Sequence, residues 1–255
     1  MNYKFGKLPA RPGAISLKFA DVFNAAKLPT PPRSFGHETL MPNGDWFTLG
    51  NTEFGNCVFA GAAHEHMLWT MAGGSPRAKF TTKDVLSDYS AVTGFDPTKP
   101  ETDQGTDMQT AAAYRQKIGI IDAAGVRHKI AAYSNLAAGN LDQLALAAWL
   151  FDAVGVGVQC PSSMSDQFDA SVPWSVVDGD SIVGGHYIPC VGRNSNGNLL
   201  FLSWGKLHAA TPEWVSKYMD EGVAYLSLEI INASTKLSPE AFNPDSLTQY
   251  LRGLT

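Results

Sequence analysis

The chain has 255 residues, is 44% hydrophobic and carries a formal net charge of −5. That is enough apolar material for one large core or two lobes sharing an interface, since single cores stop growing near ~250 residues. Acidic and basic residues are dispersed along it, with no basic stripe of the kind a phosphate backbone requires, so nucleic acid is excluded as an expected partner.

Residues 1–45 hold six prolines and no sustained periodicity. They read as an extended Pro-rich arm, with "LPTPPRSFGH" in turns or polyproline conformation, lying on a neighbouring protein surface. The opening "MNYKFGKLPARPGAISLKF" lacks an apolar core followed by a small-residue cleavage site, so no secretory signal is expected.

Residues 46–255 read as one domain in two halves. In 46–125 the pattern is mainly helical. A helix from Cys57 to Ala72 is expected, with Asn56 as N-cap and Gly73-Gly74 as the stop. Gly61 in its middle costs ~1 kcal/mol relative to alanine, which predicts a close backbone approach there. Further helices are expected at Thr82 to Thr93 and Asp107 to Ile118, each opened by a capping threonine and followed by glycine.

Residues 126–255 are mainly sheet. A helix near Leu141 to Phe151 leads into the strand "VGVGVQC". That joint run is interrupted by Asp152 and falls short of the ~20 apolar residues of a membrane span, so no membrane contact is expected. "IVGGHYIPCVGR" and "NLLFLSWG" read as strands around an Asn-Gly turn, and "EGVAYLSLEII" as the last strand.

Three cysteines, Cys57, Cys160 and Cys190, make neither a disulfide framework nor a zinc ribbon, and point to free thiols. In "CVFAGAAHEHMLW", His64 and His66 are two apart and project to different sides of a helix, whereas a zincin needs histidines four apart. Cys57 and His64 are ~10 Å apart along the axis, too far to share an ion. HEH is therefore assigned to helix packing and surface, and neither a metal nor a cofactor is expected. Cys160 and Cys190 are read as core.

Cys57, by contrast, stands in the first turn of its helix, where unsatisfied N–H groups and the macrodipole favour a thiolate. Its base would be His186 in "GGHYIPCVG", about 130 residues further on, close to a papain-like spacing. "GNCVFA", "GGHYIPCVG" and "SWG" together resemble the nucleophile, histidine and tryptophan motifs of the papain-like cysteine peptidases, over residues 45 to 231. The whole chain also resembles uncharacterised papain-like proteins of bacteriophages and prophages.

The resemblance implies an α+β, two-lobed papain-like fold, with the nucleophile helix packed on an antiparallel sheet or barrel lobe. It implies Cys57 as nucleophile, His186 as proton carrier and Asn51 as the oxyanion-hole amide. The implied activity is cleavage of a peptide or isopeptide bond through a thiolate–imidazolium pair, resolved by water or by an amine. Ungapped, the family's asparagine position falls on Leu202. A hairpin loop centred on Asn194 sets Leu202 opposite His186, and a slip of one residue brings Ser203 there as third member instead. A tight Asn196-Gly197 turn would oppose His186 with Leu207. The Asn194-centred loop, with Leu202 opposite, is expected because it keeps the tryptophan in the family's position. The partner implied is a peptide or protein substrate. The alternative is a catalytically weak or inactive papain-like fold serving as a structural or binding protein, such as a phage virion component whose arm grips a neighbouring subunit. The setting is accordingly the cytoplasm or a phage virion.

Overall fold

The computed structural model describes residues 3–22, 30–41, 45–243 and 245. Residues 1–2, 23–29 and 42–44 of the Pro-rich arm lie outside them. The described arm contains one α-helical turn, α1 (Phe19–Val22), a two-residue strand, β1 (Phe35–Gly36), and a 3-10 turn at Glu38–Leu40. Then come α2 (Cys57–Ala72), α3 (Thr82–Thr93) and α4 (Met108–Lys117), followed by the short antiparallel pair β2 (Ile120–Ile121) and β3 (Arg127–His128).

The second half is built on a seven-stranded antiparallel sheet. Its strands are β4 (Ala132–Leu136), β5 (Val154–Pro161), β6 (Ile182–Arg193), β7 (Leu199–Ser203), β8 (Lys206–Ala210) and β9 (Met219–Leu226), in the order β4-β9-β5-β6-β7-β8, with β1 pairing to β6. Helices α5 (Leu141–Phe151), α6 (Met164–Asp169) and α7 (Pro212–Tyr218) intervene. Among the described residues no helix is long and apolar enough to cross a membrane.

Local chemistry accounts for the helix limits, with two departures from expectation. Thr81 and Asp84 form a reciprocal capping box at the start of α3, and Gly94 closes it in the left-handed conformation. The cap of α4 is an aspartate, not a threonine: Asp107 accepts from the Thr110 N–H at 2.8 Å. Asn56 flanks α2 but does not cap it. Its amide is turned back to donate to the Leu49 carbonyl at 2.9 Å, tying down the loop that enters the helix.

Helix α2 is the axis of the molecule and is buried from Cys57 to Thr70. HEH therefore lies wholly inside, and none of it is surface. His64 Nε2 meets the Trp46 and Phe47 carbonyls at 2.9 and 3.0 Å. Glu65 pairs with Arg115 at 2.5 Å and accepts from the Tyr187 hydroxyl at 2.6 Å. A helix buried on all sides has no polar stripe, and an amphipathic reading assigns its charges to solvent when they in fact serve internal partners.

Gly61 lets this helix lie against β6. A Cβ at Gly61 would sit 2.5 Å from the Tyr187 ring and 3.2 Å from Pro189 Cδ, so the close approach is made by side chains of β6. Gly61→Ala should therefore lower the unfolding free energy by about 1–3 kcal/mol, as overpacking does, despite the better helix propensity of alanine. Urea denaturation at neutral pH measures this, and an unchanged midpoint would contradict the close packing.

The β6–β7 hairpin corrects the expected register. Arg193 pairs with Leu199 and Gly192 with Leu200, then a bulge shifts the pairing to Cys190–Phe201. The turn is centred near Asn196 rather than Asn194, because the Asn194 side chain accepts from the Asn196 and Asn198 N–H groups at 3.0 and 3.1 Å and Gly197 takes the left-handed position. Leu202 consequently does not stand opposite His186. It is buried and pairs with Leu207 of β8.

Candidate active site

Cys57 is the first residue of α2 and is 1% exposed. The loop before it is fixed by the Asn56 amide on Leu49 and by the Asp103 carboxylate, which accepts from the Gly55 N–H at 3.0 and 3.1 Å. His186 lies on β6 and is fully buried. Its Nε2 is 2.9 Å from Ser203 Oγ, while Nδ1 is buried without a hydrogen-bond partner.

Trp204 stacks on the imidazole, with ring centroids 4.6 Å apart at 16°. It can do so because Trp204 and Gly205 form the two-residue turn between β7 and β8 with positive φ at both positions. Such a primed turn matches the twist of the hairpin it closes. The imidazole is thus covered on one face by a tryptophan and anchored at one nitrogen by a hydroxyl. Asn51 is buried in the turn before α2, and its amide Nδ2 is 3.4 Å from the Phe54 carbonyl, a long contact that leaves donor capacity unused.

No hydrogen bond joins the Cys57 sulfur to the His186 ring. The backbone amides of Tyr187, next to His186, and of Gly6 face the sulfur. Burial pushes the Cys57 thiol up to about 11, against the pull of those amides and of the Lys7 charge. Burial alone pushes His186 down to about 3. In the closed state burial therefore favours a neutral thiol and a neutral imidazole over the thiolate–imidazolium pair that the resemblance implies.

Both groups are sealed by the start of the arm. Gly6 packs so closely on Gly55 that a Cβ there would lie 2.0 Å from the Gly55 carbonyl oxygen. Lys7 N–H donates to the Gly185 carbonyl at 3.0 Å, and Thr106 holds both sides of Lys7, donating to the Gly6 carbonyl at 2.7 Å and accepting from Leu8 N–H at 3.0 Å. Phe5 meets the His186 ring edge-on at 6.0 Å, and Tyr3 stacks on Trp204 at 4.0 Å. Nothing in "YKFGKLP" announces this placement, because seven residues with no periodicity carry no address for a distant groove.

Among the described residues, two groups of donors lie close enough to hold a metal ion: His66, His128 and Glu229, and His37, Asp152 and Glu240. Each is drawn together by histidine–carboxylate hydrogen bonds: Glu229 receives His66 Nδ1 at 2.6 Å and His128 Nδ1 at 2.7 Å, and His37 Nδ1 meets Asp152 at 2.9 Å. None of these residues contacts Cys57 or His186.

The architecture is that of the papain-like cysteine proteases. Xylellain, a cysteine protease from Xylella fastidiosa, matches with a TM-score of 0.62 at 13% identity, over 89% of this chain and 97% of its own. The proCathepsin B S9 from Trypanosoma congolense matches with a TM-score of 0.61 at 15% identity, over 88% and 86%. A Carica candamarcensis cysteine protease solved with E-64 matches with a TM-score of 0.53 at 14% identity, over 77% and 99%. No family model and no curated protein sequence matches the chain. At these identities the likeness establishes the fold alone: an α+β, papain-like arrangement of a central helix on an antiparallel sheet.

Proposed function

We propose that this chain is a latent papain-like cysteine hydrolase acting on a peptide or isopeptide bond, held closed by residues 3–8. The observation that carries the reading is the His186 ring itself: Ser203 anchors Nε2, Trp204 covers one face, and Nδ1 is left free to take a proton. Once the arm leaves and water enters, the desolvation that keeps both groups neutral is relieved, and the helix N-terminus favours the thiolate. The Cys57 thiol proton passes to Nδ1 and the sulfur attacks the carbonyl carbon. The backbone N–H of Cys57 and the Asn51 amide stabilise the oxyanion. The imidazolium then protonates the departing amine, leaving a thioester that water or an amine resolves.

Alkylation by iodoacetamide at about pH 5 tests the pair. With the arm displaced, Cys57 should react rapidly and His186→Ala should slow it sharply; labelling that rises only above about pH 8 would remove the reading. Ser203→Ala in the same arm-displaced protein should lower the rate about tenfold, the equivalent of one orienting hydrogen bond of ~1.4 kcal/mol. An unchanged rate would mean that the ring is held by Trp204 stacking alone.

The second reading is a papain-like fold kept as a binding or structural protein, such as a component of a phage particle. The sealed site, in which burial disfavours both charged forms, and a serine rather than an asparagine against the His186 ring favour it. It makes the opposite prediction: displacing the arm exposes Cys57 without giving it a fast acid-side reaction.

A further inference from the structure

The arm also carries a cation into the cleft. The Lys7 side chain is 1% exposed, and its ammonium lies 3.0 Å from Asp220 Oδ2, 3.1 Å from Glu221 Oε1 and 3.1 Å from the Leu8 carbonyl. An ammonium has three donors, and all three are used. We propose that the pocket closed by Asp220 and Glu221 is a subsite for a lysine side chain of the incoming peptide, with Lys7 as its resting occupant; this rests on the reading of the cleft as a substrate groove.

Three features carry the assignment. First, the pocket opens beside the chemistry: the Lys7 N–H is bonded to Gly185, the residue before His186, and Gly6 faces Cys57. A ligand whose side chain enters here presents its backbone to the nucleophile. Second, the channel has a cut-out for an unbranched stem. A Cβ on Gly157 would lie 2.1 Å from Lys7 Cε, and 2.8 Å from both Glu221 Cγ and Met108 Sδ. Third, the charge is unbalanced without a cation. Asp220 and Glu221 are only 16% and 15% exposed at the side chain, and Asp220 Oδ1 is buried without a hydrogen-bond partner. Departure of Lys7 leaves two half-buried carboxylates side by side, so a replacement ammonium is favoured strongly over a neutral chain of the same length. A compact ammonium suits three separate acceptors better than the planar fork of arginine.

The test uses the full-length Lys7→Ala chain, in which the pocket is vacated without touching Cys57 or His186. n-Butylammonium should raise its melting temperature in a saturable way, while n-butanol at the same concentration and ionic strength should not. Wild type, already filled, should not respond, and Lys7→Ala combined with Asp220→Asn and Glu221→Gln should lose the response. No stabilisation, or equal stabilisation by butanol, overturns the subsite. In Lys7→Ala combined with Gly6→Val, whose Cβ would crowd the Gly55 carbonyl oxygen at 2.0 Å and lift residues 3–8, a thiol-directed peptide electrophile bearing lysine should label Cys57 at least about tenfold faster than its norleucine counterpart, a preference of ~1.4 kcal/mol. Equal labelling overturns the lysine preference. If no electrophile labels Cys57 while butylammonium still stabilises the chain, the pocket stands and the reactive-cysteine reading falls.

Discussion

Gly6→Val should raise the rate of Cys57 alkylation at pH 7 by about two orders of magnitude. The closed state leaves 1% of Cys57 exposed, so the reagent reaches the sulfur only when residues 3–8 lift away, and the rate follows the open population. Any side chain at position 6 drives a Cβ to within 2.0 Å of the Gly55 carbonyl oxygen, a backbone atom held in place by Asp103. Gly105 faces the same crowding, since a Cβ there would lie 2.2 Å from the Gly6 carbonyl oxygen. Overpacking of a contact that cannot relax reaches about 3 kcal/mol, which corresponds to a hundredfold shift toward the open form. Cys57, His186 and Asn51 are untouched, so the substitution separates access to the sulfur from its reactivity. A Gly6→Val chain that labels no faster than wild type would show that the segment does not guard the sulfur.

Acid separates the two readings of the site through the same latch. His186 is buried, pushed down to about 3, and its ring meets Ser203, Trp204 and Phe5, none of them charged. Where opening leaves Cys57 a thiol, the hydrated ring returns toward an ordinary value near 6.5 and the open form binds an extra proton. The advantage of the closed form, complete above pH ~6.5, is then lost as pH falls toward 3, and going from pH 7 to 5 favours opening by about 2 kcal/mol, or roughly thirtyfold. Where opening creates the thiolate–imidazolium pair, the open form holds the same single proton as the closed thiol and imidazole, and opening is independent of pH across that interval. The ratio of wild-type to Gly6→Val labelling rates should therefore stay flat from pH 7 to 5. A climb toward thirtyfold would favour the unactivated thiol of the second reading.

What the sequence discloses and what it hides divide along a physical line. Helix α2 is legible to the residue, because a small-residue run ending in Gly73-Gly74 has local causes. The strands from β5 to β7 are equally legible from apolar runs around Gly and Asn. The identity of the residue facing His186 is not. A single Asx turn at Asn194 and one bulge at Val191 decide whether Leu202 or Ser203 reaches the ring, and both are hairpin details rather than patterns. The arm is hidden for a different reason. Lys7 reads as an ordinary surface lysine until Asp220 and Glu221, more than two hundred residues away, are brought to it by the sheet.

The same holds for the centre of α2, where the second large effect is expected. Arg115→Met should destabilise the fold by about 3–5 kcal/mol, the cost of leaving one member of a buried ion pair without its partner. Glu65 and Arg115 have fully buried side chains 2.5 Å apart. The guanidinium also lies 4.1 Å over the Tyr225 ring, and Glu65 receives the Tyr187 hydroxyl at 2.6 Å. Burial pushes the Glu65 carboxyl up, opposed by Arg115 and by the Tyr187 hydrogen bond; without Arg115 it must take a proton or stay a stranded charge. Removing both charges is a different matter, because the desolvation of two ions ends together with their attraction. Arg115→Met with Glu65→Leu should recover most of the lost stability in urea denaturation. The recovered protein should still differ in one respect. Glu65 ties α2 to Tyr187, whose backbone amide faces Cys57 and whose neighbour is His186. Arm-displaced protein carrying the double substitution should therefore fold well yet alkylate Cys57 more slowly than its parent. Full stability with unchanged reactivity would show that the buried pair does not align the two halves of the site.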